Sequence, residues 1–167
     1  HEFHQKCNDW LLGYLSYDLK NEVEELGSTN DDLQQTPDLF FFQPEKLLII
    51  TEKSCEFRYP DTLKNEVDKD LQAIQEQNED HGHQRSDINI RQAISQDEYL
   101  RSIDKILHHI QLGDIYEMNF CQTFYAENVQ ISPVEVFHKL NKIAESPFAA
   151  YCQFDEHYIL SASPERY

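Results

Sequence analysis

Glu165 is the residue with the clearest chemical potential, in the sequence Ser163-Pro-Glu-Arg166 directly after an apolar segment. A carboxylic acid can donate a proton to a departing oxygen when burial or a neighbouring anion raises its pKa towards neutrality. However, an ion pair with the adjacent Arg166, or a capping role, would account for Glu165 without catalysis. On the residues alone, the structural role is the simpler interpretation.

Two histidine pairs have residue types that bind metals. His81 and His83 lie in a polar segment without a frame of carboxylates or thiols, whereas His108 and His109 occupy adjacent helical positions that diverge by about 100°. We therefore expect solvated histidines and no metal site at either pair. With only 4 glycines, the chain also lacks the glycine-rich loops that bind phosphate groups.

Composition and charge exclude several classes of protein. The 167 residues include 31 acidic and 14 basic side chains, a formal charge of −17 that repels nucleic acids and anionic membranes. Hydrophobic residues make up 40%, too many for a disordered chain, and no apolar run approaches the roughly 20 residues that span a bilayer. The sequence indicates a globular, cytoplasmic protein, and a local site could still bind a small anionic substrate.

The cysteines Cys7, Cys55, Cys121 and Cys152 lie far apart and form no Cys-x-x-Cys pair. A chain of this length has enough apolar residues to form a core without disulfides. Free cysteines are among the most often buried residues. We therefore expect reduced, mostly buried thiols, as in a cytosolic protein.

Apolar periodicity predicts the elements that position these residues. Strands are expected at 10–18, 40–42, 47–51, 55–59, 115–125, 148–154 and 158–162, and helices at 19–26, 63–74, 95–113 and 132–143. The strand at 10–18 is expected to be buried, with Tyr14 and Tyr17 in a core. Ser95 and Ser132 have the pattern of helix N-caps, and Gly113 that of a C-cap.

The order of these elements predicts an α+β fold. Hairpins and single strands alternate with helices, which favours a mainly antiparallel sheet with packed helices over a parallel βαβ series. The polar segment from Gln75 to about residue 91 has no apolar periodicity. We expect a mobile loop there, within one domain that spans residues 1–167.

Four stretches carry a resemblance to a known family. They are Gly13-Tyr-Leu-Ser-Tyr-Asp18, Gly113-Asp-Ile-Tyr-Glu-Met-Asn-Phe-Cys-Gln122, Ser146-Pro-Phe148 and Ser161-Ala-Ser-Pro-Glu-Arg166. In order and spacing they resemble the chorismate-utilising enzymes, which include anthranilate synthase component I, aminodeoxychorismate synthase component I and isochorismate synthase. Asn119 and the segment 147–149 look most like the aminodeoxychorismate branch, with anthranilate synthase as the near alternative.

The resemblance implies roles for particular residues. Glu165 matches the family's proton donor, which reverses the preference for a structural role. Pro147, Phe148 and Ala149 match the segment that holds tryptophan in this family. Their chemistry suits that task, because an aromatic wall lies beside a strand edge whose backbone groups can bind ammonium and carboxylate. An ordinary entry into a strand explains the same three residues equally well.

The resemblance also implies partners and missing parts. A chorismate-aminating enzyme of this family uses Mg²⁺ and takes ammonia from a glutamine amidotransferase subunit. We expect residues 1–167 to be one part of such an enzyme and to be inactive alone. The metal ligands and a Pro-Ile-Lys-Gly-Thr segment are expected beyond Tyr167. The alternative from another class is a non-catalytic acidic interaction domain.

Overall fold

The computed structural model describes residues 2–29, 32, 34–77 and 88–166. The chain divides into two compact units, His1–Asp80 and His81–Tyr167. Most of the loop expected from Gln75 to about residue 91 lies outside the described residues. Within the described ranges, no helix is long and apolar enough to cross a membrane.

The first unit combines short antiparallel ladders with short helices. Its elements are α1 (Glu2–Cys7), β1 (Leu12–Leu15), α2 (Lys20–Val23), β2 (Leu39–Phe42), β3 (Leu47–Ile50), β4 (Cys55–Arg58) and α3 (Val67–Gln75), with 3₁₀ turns at Tyr17–Leu19 and Asp61–Glu66. β1 pairs with β2, and β3 pairs with β4. The predicted hairpin of residues 47–51 and 55–59 is confirmed.

The β1–β2 ladder is closely packed at Gly13. Gly13 lies opposite Phe41, and a Cβ at this position would overlap the carbonyl oxygen of Phe40. Glycine is the residue that allows two backbones to approach this closely. On the next position, the ring of Tyr14 packs against that of Phe40 with centroids 5.9 Å apart.

The strand predicted at 10–18 is confirmed over a shorter range, but its predicted burial is wrong. Leu15 is 57% exposed, and Tyr17, which lies in the 3₁₀ turn after β1, is 84% exposed. The ladder has two strands, so it leaves much of its side-chain surface to solvent. The aromatic content of this segment indicated a strand, but it could not show which neighbours cover it.

The second unit contains the longer helices and the longest hairpin. Its elements are β5 (Arg91–Gln92), α4 (Gln96–Leu112), β6 (Phe124–Tyr125), α5 (Pro133–Ala144), β7 (Phe148–Phe154) and β8 (His157–Ser163). β5 pairs with β6, β7 pairs with β8, and both ladders are antiparallel. α5 packs against this hairpin, with the rings of Phe137 and Tyr151 5.6 Å apart. The predicted α+β class is confirmed.

The predicted helix caps are confirmed. The hydroxyl of Ser95 accepts a hydrogen bond from the Glu98 amide at 3.3 Å, and Ser132 does the same for Glu135 at 3.4 Å. Each of these bonds satisfies an amide that the helix itself leaves without a partner. Gly113 ends α4 in the left-handed conformation, with φ of 80°, which a glycine adopts without steric cost.

The strand predicted at 115–125 is mostly wrong. Only Phe124–Tyr125 forms a ladder, and residues 115–123 have no regular secondary structure. Alternating side chains favour an extended chain, but a strand also needs a neighbour for its backbone hydrogen bonds. Within the described residues, that neighbour is the short β5, next to which the Ala93 amide donates to the Thr123 carbonyl at 2.9 Å.

The thiols are more exposed than predicted. Cys55, Cys121 and Cys152 are free, but Cys55 and Cys121 are exposed and Cys152 is half-buried. No side chain of the described residues is fully buried. The general preference of cysteine for interiors therefore gave the wrong answer, because the described ladders and helices do not enclose a core of that kind.

Candidate functional site

Glu165 lies just past the end of β8, and its backbone is held by Ser163. The Ser163 hydroxyl donates to the Glu165 carbonyl at 2.9 Å and accepts from the Glu165 amide at 3.4 Å. Pro164, between them, restricts the backbone further because its ring fixes φ. The side chain of Glu165 is exposed, so the main chain is constrained while the carboxyl group remains accessible.

Arg166 contacts an aromatic ring rather than its acidic neighbour. Its guanidinium lies 5.6 Å from the ring centroid of Phe148, within the range of a cation–π interaction. Among the ion pairs of the described residues, none joins Arg166 to Glu165. The ion pair that offered a simple structural explanation of Glu165 is therefore not formed.

The segment 147–149 lies at the same end of the β7–β8 hairpin. Phe148 is the register partner of Ser163, and Ala149 that of Ala162. The Ser146 hydroxyl donates to the Ala162 carbonyl at 3.0 Å and fixes the entry to β7. The structure thus brings the predicted tryptophan-binding segment and the predicted proton donor together at one hairpin end.

Segment 147–149 presents two kinds of surface that can contact tryptophan, an aromatic ring and a strand edge. The Phe148 side chain is 39% exposed, and among the described strands β7 pairs only with β8. The other edge of β7 therefore presents backbone donors and acceptors beside an accessible ring. This arrangement can contact an aromatic amino acid, with backbone groups for its ammonium and carboxylate.

Asp114 has a structural role at the end of α4. Its amide donates to the His109 carbonyl at 3.0 Å, and its carboxylate lies 2.7 Å from Nδ1 of His109. Both contacts fix the turn that follows Gly113. His81 and His83 lie outside the described residues, and the described part of the chain contains no group of three or more potential metal-ligating side chains.

Sequence reasoning missed a polar cluster in the first unit. Nζ of Lys46 lies 2.6 Å from Oε2 of Glu66 and 2.7 Å from Oδ2 of Asp70, and the Tyr59 hydroxyl donates to Asp70 at 2.9 Å. We call these four residues the Lys46 cluster. Glu66 and Asp70 are four positions apart, as on one helical face, and this spacing could have indicated a shared cation.

The Lys46 cluster shifts the pKa of Asp70, Lys46 and Tyr59. Hydrogen bonds from Lys46 and then Tyr59 hold the pKa of the Asp70 carboxyl below its usual value. Hydrogen bonds to Asp70 and Glu66 raise the pKa of Lys46. Desolvation, followed by the hydrogen bond to Asp70, raises the pKa of Tyr59. The shifts of Asp70 and Lys46 favour the charges of their ion pair, and the shift of Tyr59 favours the protonated hydroxyl that donates to Asp70.

The amino-acid sequence of this chain matches a known protein family over its full length. The profile of the family described as "chorismate binding enzyme" matches residues 1–167. The chain belongs to the chorismate binding enzyme family. The four stretches that carried the resemblance lie within the matched residues, and two of them meet at the end of the β7–β8 hairpin.

Individual relatives from this family carry two different names. Anthranilate synthase component 1 of Buchnera aphidicola subsp. Pemphigus spyrothecae is 30% identical over 165 residues, 92% of this chain and 31% of that relative. Aminodeoxychorismate synthase component 1 of Bacillus subtilis is 22% identical over 169 residues, 92% of this chain and 35% of that relative. The similarity alone does not separate the two branches.

A solved structure has the same fold as this member of the family. Anthranilate synthase component I from Streptococcus pneumoniae TIGR4 superposes with a TM-score of 0.75 at 22% identity, over 93% of this chain and 38% of that chain. The chain thus spans about a third of the length of the relatives it matches. The predicted fold, part of the anthranilate synthase component I-like architecture, is confirmed.

Proposed function

We propose that this chain is part of component I of an aminodeoxychorismate synthase, which aminates chorismate to 4-amino-4-deoxychorismate for p-aminobenzoate and folate synthesis. The observation that supports this proposal is the hairpin end, where an accessible carboxyl group on a constrained backbone lies beside the segment 147–149. Anthranilate synthase component I is the second candidate, because relatives with both names match most of the chain.

Glu165 has the chemistry that the amination requires. The hydroxyl group at C4 of chorismate is a poor leaving group, and the C4–O bond breaks more easily when an acid protonates the departing oxygen. In this role, Glu165 transfers a proton to the departing oxygen as the C4–O bond breaks and the nucleophile bonds to the ring. Ser163 positions the acid through its two backbone hydrogen bonds.

The metal, the lysine and the ammonia of the reaction are expected from groups outside residues 1–167. Mg²⁺, when bound, would neutralise a substrate carboxylate. The described residues offer no cluster of three potential ligands, so we expect its ligands in the part of the family's length that this chain does not span. The same applies to the lysine of the Pro-Ile-Lys-Gly-Thr segment. Ammonia comes from a partner glutamine amidotransferase in the cytoplasm.

Segment 147–149 is proposed to bind tryptophan. The accessible Phe148 ring supplies the contact for an indole, and Ser146 fixes the entry of the strand through the Ala162 carbonyl. Backbone groups on the open edge of β7 take the ammonium and carboxylate groups of the ligand. Tryptophan binding at this position would serve either branch of the family, so it does not decide between them.

Product analysis tests the proposed function. The complete protein that contains this chain is incubated with chorismate, magnesium and ammonium salt, and the products are identified by mass spectrometry. We expect aminodeoxychorismate without release of pyruvate. Anthranilate together with pyruvate would replace the proposal by the second candidate, and neither product would favour the non-catalytic interaction domain. Residues 1–167 alone should yield no product.

The encoded sequence provides a second discriminator between the branches. Lysine in a Pro-Ile-Lys-Gly-Thr segment supports the aminodeoxychorismate branch, and alanine at the position of that lysine supports anthranilate synthase. This observation is independent of protein folding and of assay conditions. Agreement between the segment and the product would establish the branch by two unrelated routes.

A further inference from the structure

Arg166 connects the two halves of the hairpin end. It directly follows Glu165, and its guanidinium lies 5.6 Å from the ring centroid of Phe148. Phe148 is the first residue of β7 and the register partner of Ser163 on β8. The contact therefore links the residue after Glu165 to the first residue of the neighbouring strand β7.

Glu165 is thus restrained from both sides along the chain. On its N-terminal side, the Ser163 hydroxyl bonds both backbone groups of Glu165. On its C-terminal side, the next residue is held against a ring that belongs to the opposite strand. Loss of either restraint would let the carboxyl group sample more positions, and catalytic groups lose efficiency when they are not held in place.

We propose that Arg166 is a positioning residue for Glu165 and that it acts through the ring of Phe148. This inference rests on the proposed function, because it assigns a reason for the position of the proton donor. Both contact partners are exposed, so the cation–π contact is of the modest kind. Its loss should change the population of the productive arrangement by about two- to five-fold.

The test is a double-substitution cycle in the complete protein. The variants are Arg166→Gln, Phe148→Leu and the two combined, with Phe148→Tyr and Arg166→Lys as conservative replacements. Steady-state kinetics give kcat and KM for chorismate per folded molecule, without added tryptophan. Lys20→Gln is the control in the first unit, because it removes another cation–π contact, 4.7 Å from the Tyr17 ring, together with the ion pair to Asp18 at 2.6 Å.

Arg166→Gln and Phe148→Leu should each lower kcat by about two- to five-fold at an unchanged KM. The kcat of the combined variant should be no lower than that of the slower single variant, because the two substitutions remove the same contact. Phe148→Tyr keeps a ring and Arg166→Lys keeps a cation, so the kcat of each should lie between that of the parent and that of the corresponding Leu or Gln variant. Lys20→Gln should retain the parent kcat. Multiplicative losses in the combined variant, or a kcat equal to that of the parent in either single variant, would overturn the inference.

A direct contact between Arg166 and substrate would give a different result. In that case Arg166→Gln would raise KM for chorismate by about tenfold or more while Phe148→Leu left KM unchanged, and the inference would be wrong. If the parent protein turns over no chorismate, the proposed function fails. The contact is then tested by the backbone amide resonance of Glu165: Arg166→Gln and Phe148→Leu must move it to the same position, and movement in only one variant overturns the inference.

Discussion

Two polar groups of residues in this chain contain similar side chains and use them in opposite ways. In the Lys46 cluster, one cation is bound by two carboxylates at 2.6 and 2.7 Å. At the hairpin end, the cation Arg166 contacts the Phe148 ring instead of the carboxyl group of Glu165. In the Lys46 cluster the opposite charges are bound to each other, whereas at the hairpin end the carboxyl group of Glu165 is exposed and forms no ion pair with Arg166.

The comparison shows that adjacent charged residues need not form an ion pair, although other pairs of the described residues do join near neighbours, such as Arg58 and Glu56. Glu165 and Arg166 are adjacent in the chain, yet the structure does not pair them. Lys46 is 20 residues from Glu66 and 24 from Asp70, and it is bonded to both. Strand and turn geometry decides which charges meet, and at the end of β8 the Arg166 guanidinium lies near the Phe148 ring.

The largest expected effect comes from Glu165→Gln in the complete protein. This substitution keeps the shape of the side chain but removes the acid, and general acid catalysis is typically worth about 10²- to 10⁴-fold. We expect kcat to fall by about that range while KM for chorismate changes little, as for an interaction made only in the transition state. Steady-state kinetics normalised to folded protein provide the measurement.

Glu156→Gln is the control for this prediction. Glu156 lies in the two-residue turn at the opposite end of the same hairpin, so it carries the same change in charge without the proposed role. A turnover of Glu165→Gln within about threefold of the parent would remove the proton-donor assignment, because it lies far below the effect of a lost general acid.

A smaller effect, on stability rather than turnover, is expected for Lys46→Met. Removal of the cation leaves the carboxylates of Glu66 and Asp70 close together without compensation, so they repel each other. The melting temperature should fall by a few degrees, and by more than in Asp70→Asn, which leaves the cation one carboxylate. Calorimetry measures both changes, and kcat per folded molecule should equal that of the parent.

Lys64→Met provides the matched control for the Lys46 cluster. Lys64 pairs with Asp61, but the two side chains are 69% and 90% exposed, and such pairs contribute little to stability. We expect no measurable change in melting temperature. If Lys64→Met destabilises the protein as much as Lys46→Met, the distinction between a cluster and a simple surface pair is wrong.

The smallest expected effect is the pH dependence of the Lys46 cluster. The pKa of Asp70 is lowered in the folded state, so its contribution to stability is present above its ordinary pKa of about 4 and is lost as the pH falls through the folded value. The pKa of Lys46 is raised, so its contribution is present below its ordinary pKa of about 10.4 and is lost as the pH rises through the folded value.

The measurement compares the melting temperatures of the parent and Asp70→Asn over a range of pH. Their difference should be constant between about pH 5 and about pH 9 and should shrink progressively below about pH 4. A difference that persists undiminished at pH 2 would show that Asp70 stabilises the fold through packing or neutral hydrogen bonds and not through its charge.

Features encoded by short stretches of sequence were predictable. Ser95, Ser132 and Gly113 cap helices through groups within a few residues of themselves, and all three predictions are confirmed. The hairpins of residues 47–58 and 148–163 were also predicted, because each is formed by segments that are close in the chain. Local hydrogen bonding and short turns are enough to specify these elements.

Features that depend on distant neighbours were not predictable. Residues 115–123 alternate like a strand but lack a continuous partner, and Tyr17 was expected in a core but is exposed. The contact between Arg166 and Phe148 depends on the register of β7 and β8, which a list of residue types does not contain. The site residues themselves came from the family resemblance, and their roles stay predictions until the variants are measured.

The strand pairing has a consequence for how the protein is synthesised. β1 and β2 close within residues 12–42, and β3 and β4 within 47–58. Pairing within each ladder requires only residues that have already left the ribosome, and the short turn between β3 and β4 keeps the entropic cost of closing that ladder low. The first unit can therefore acquire its strands during translation, before the residues around Glu165 have been made.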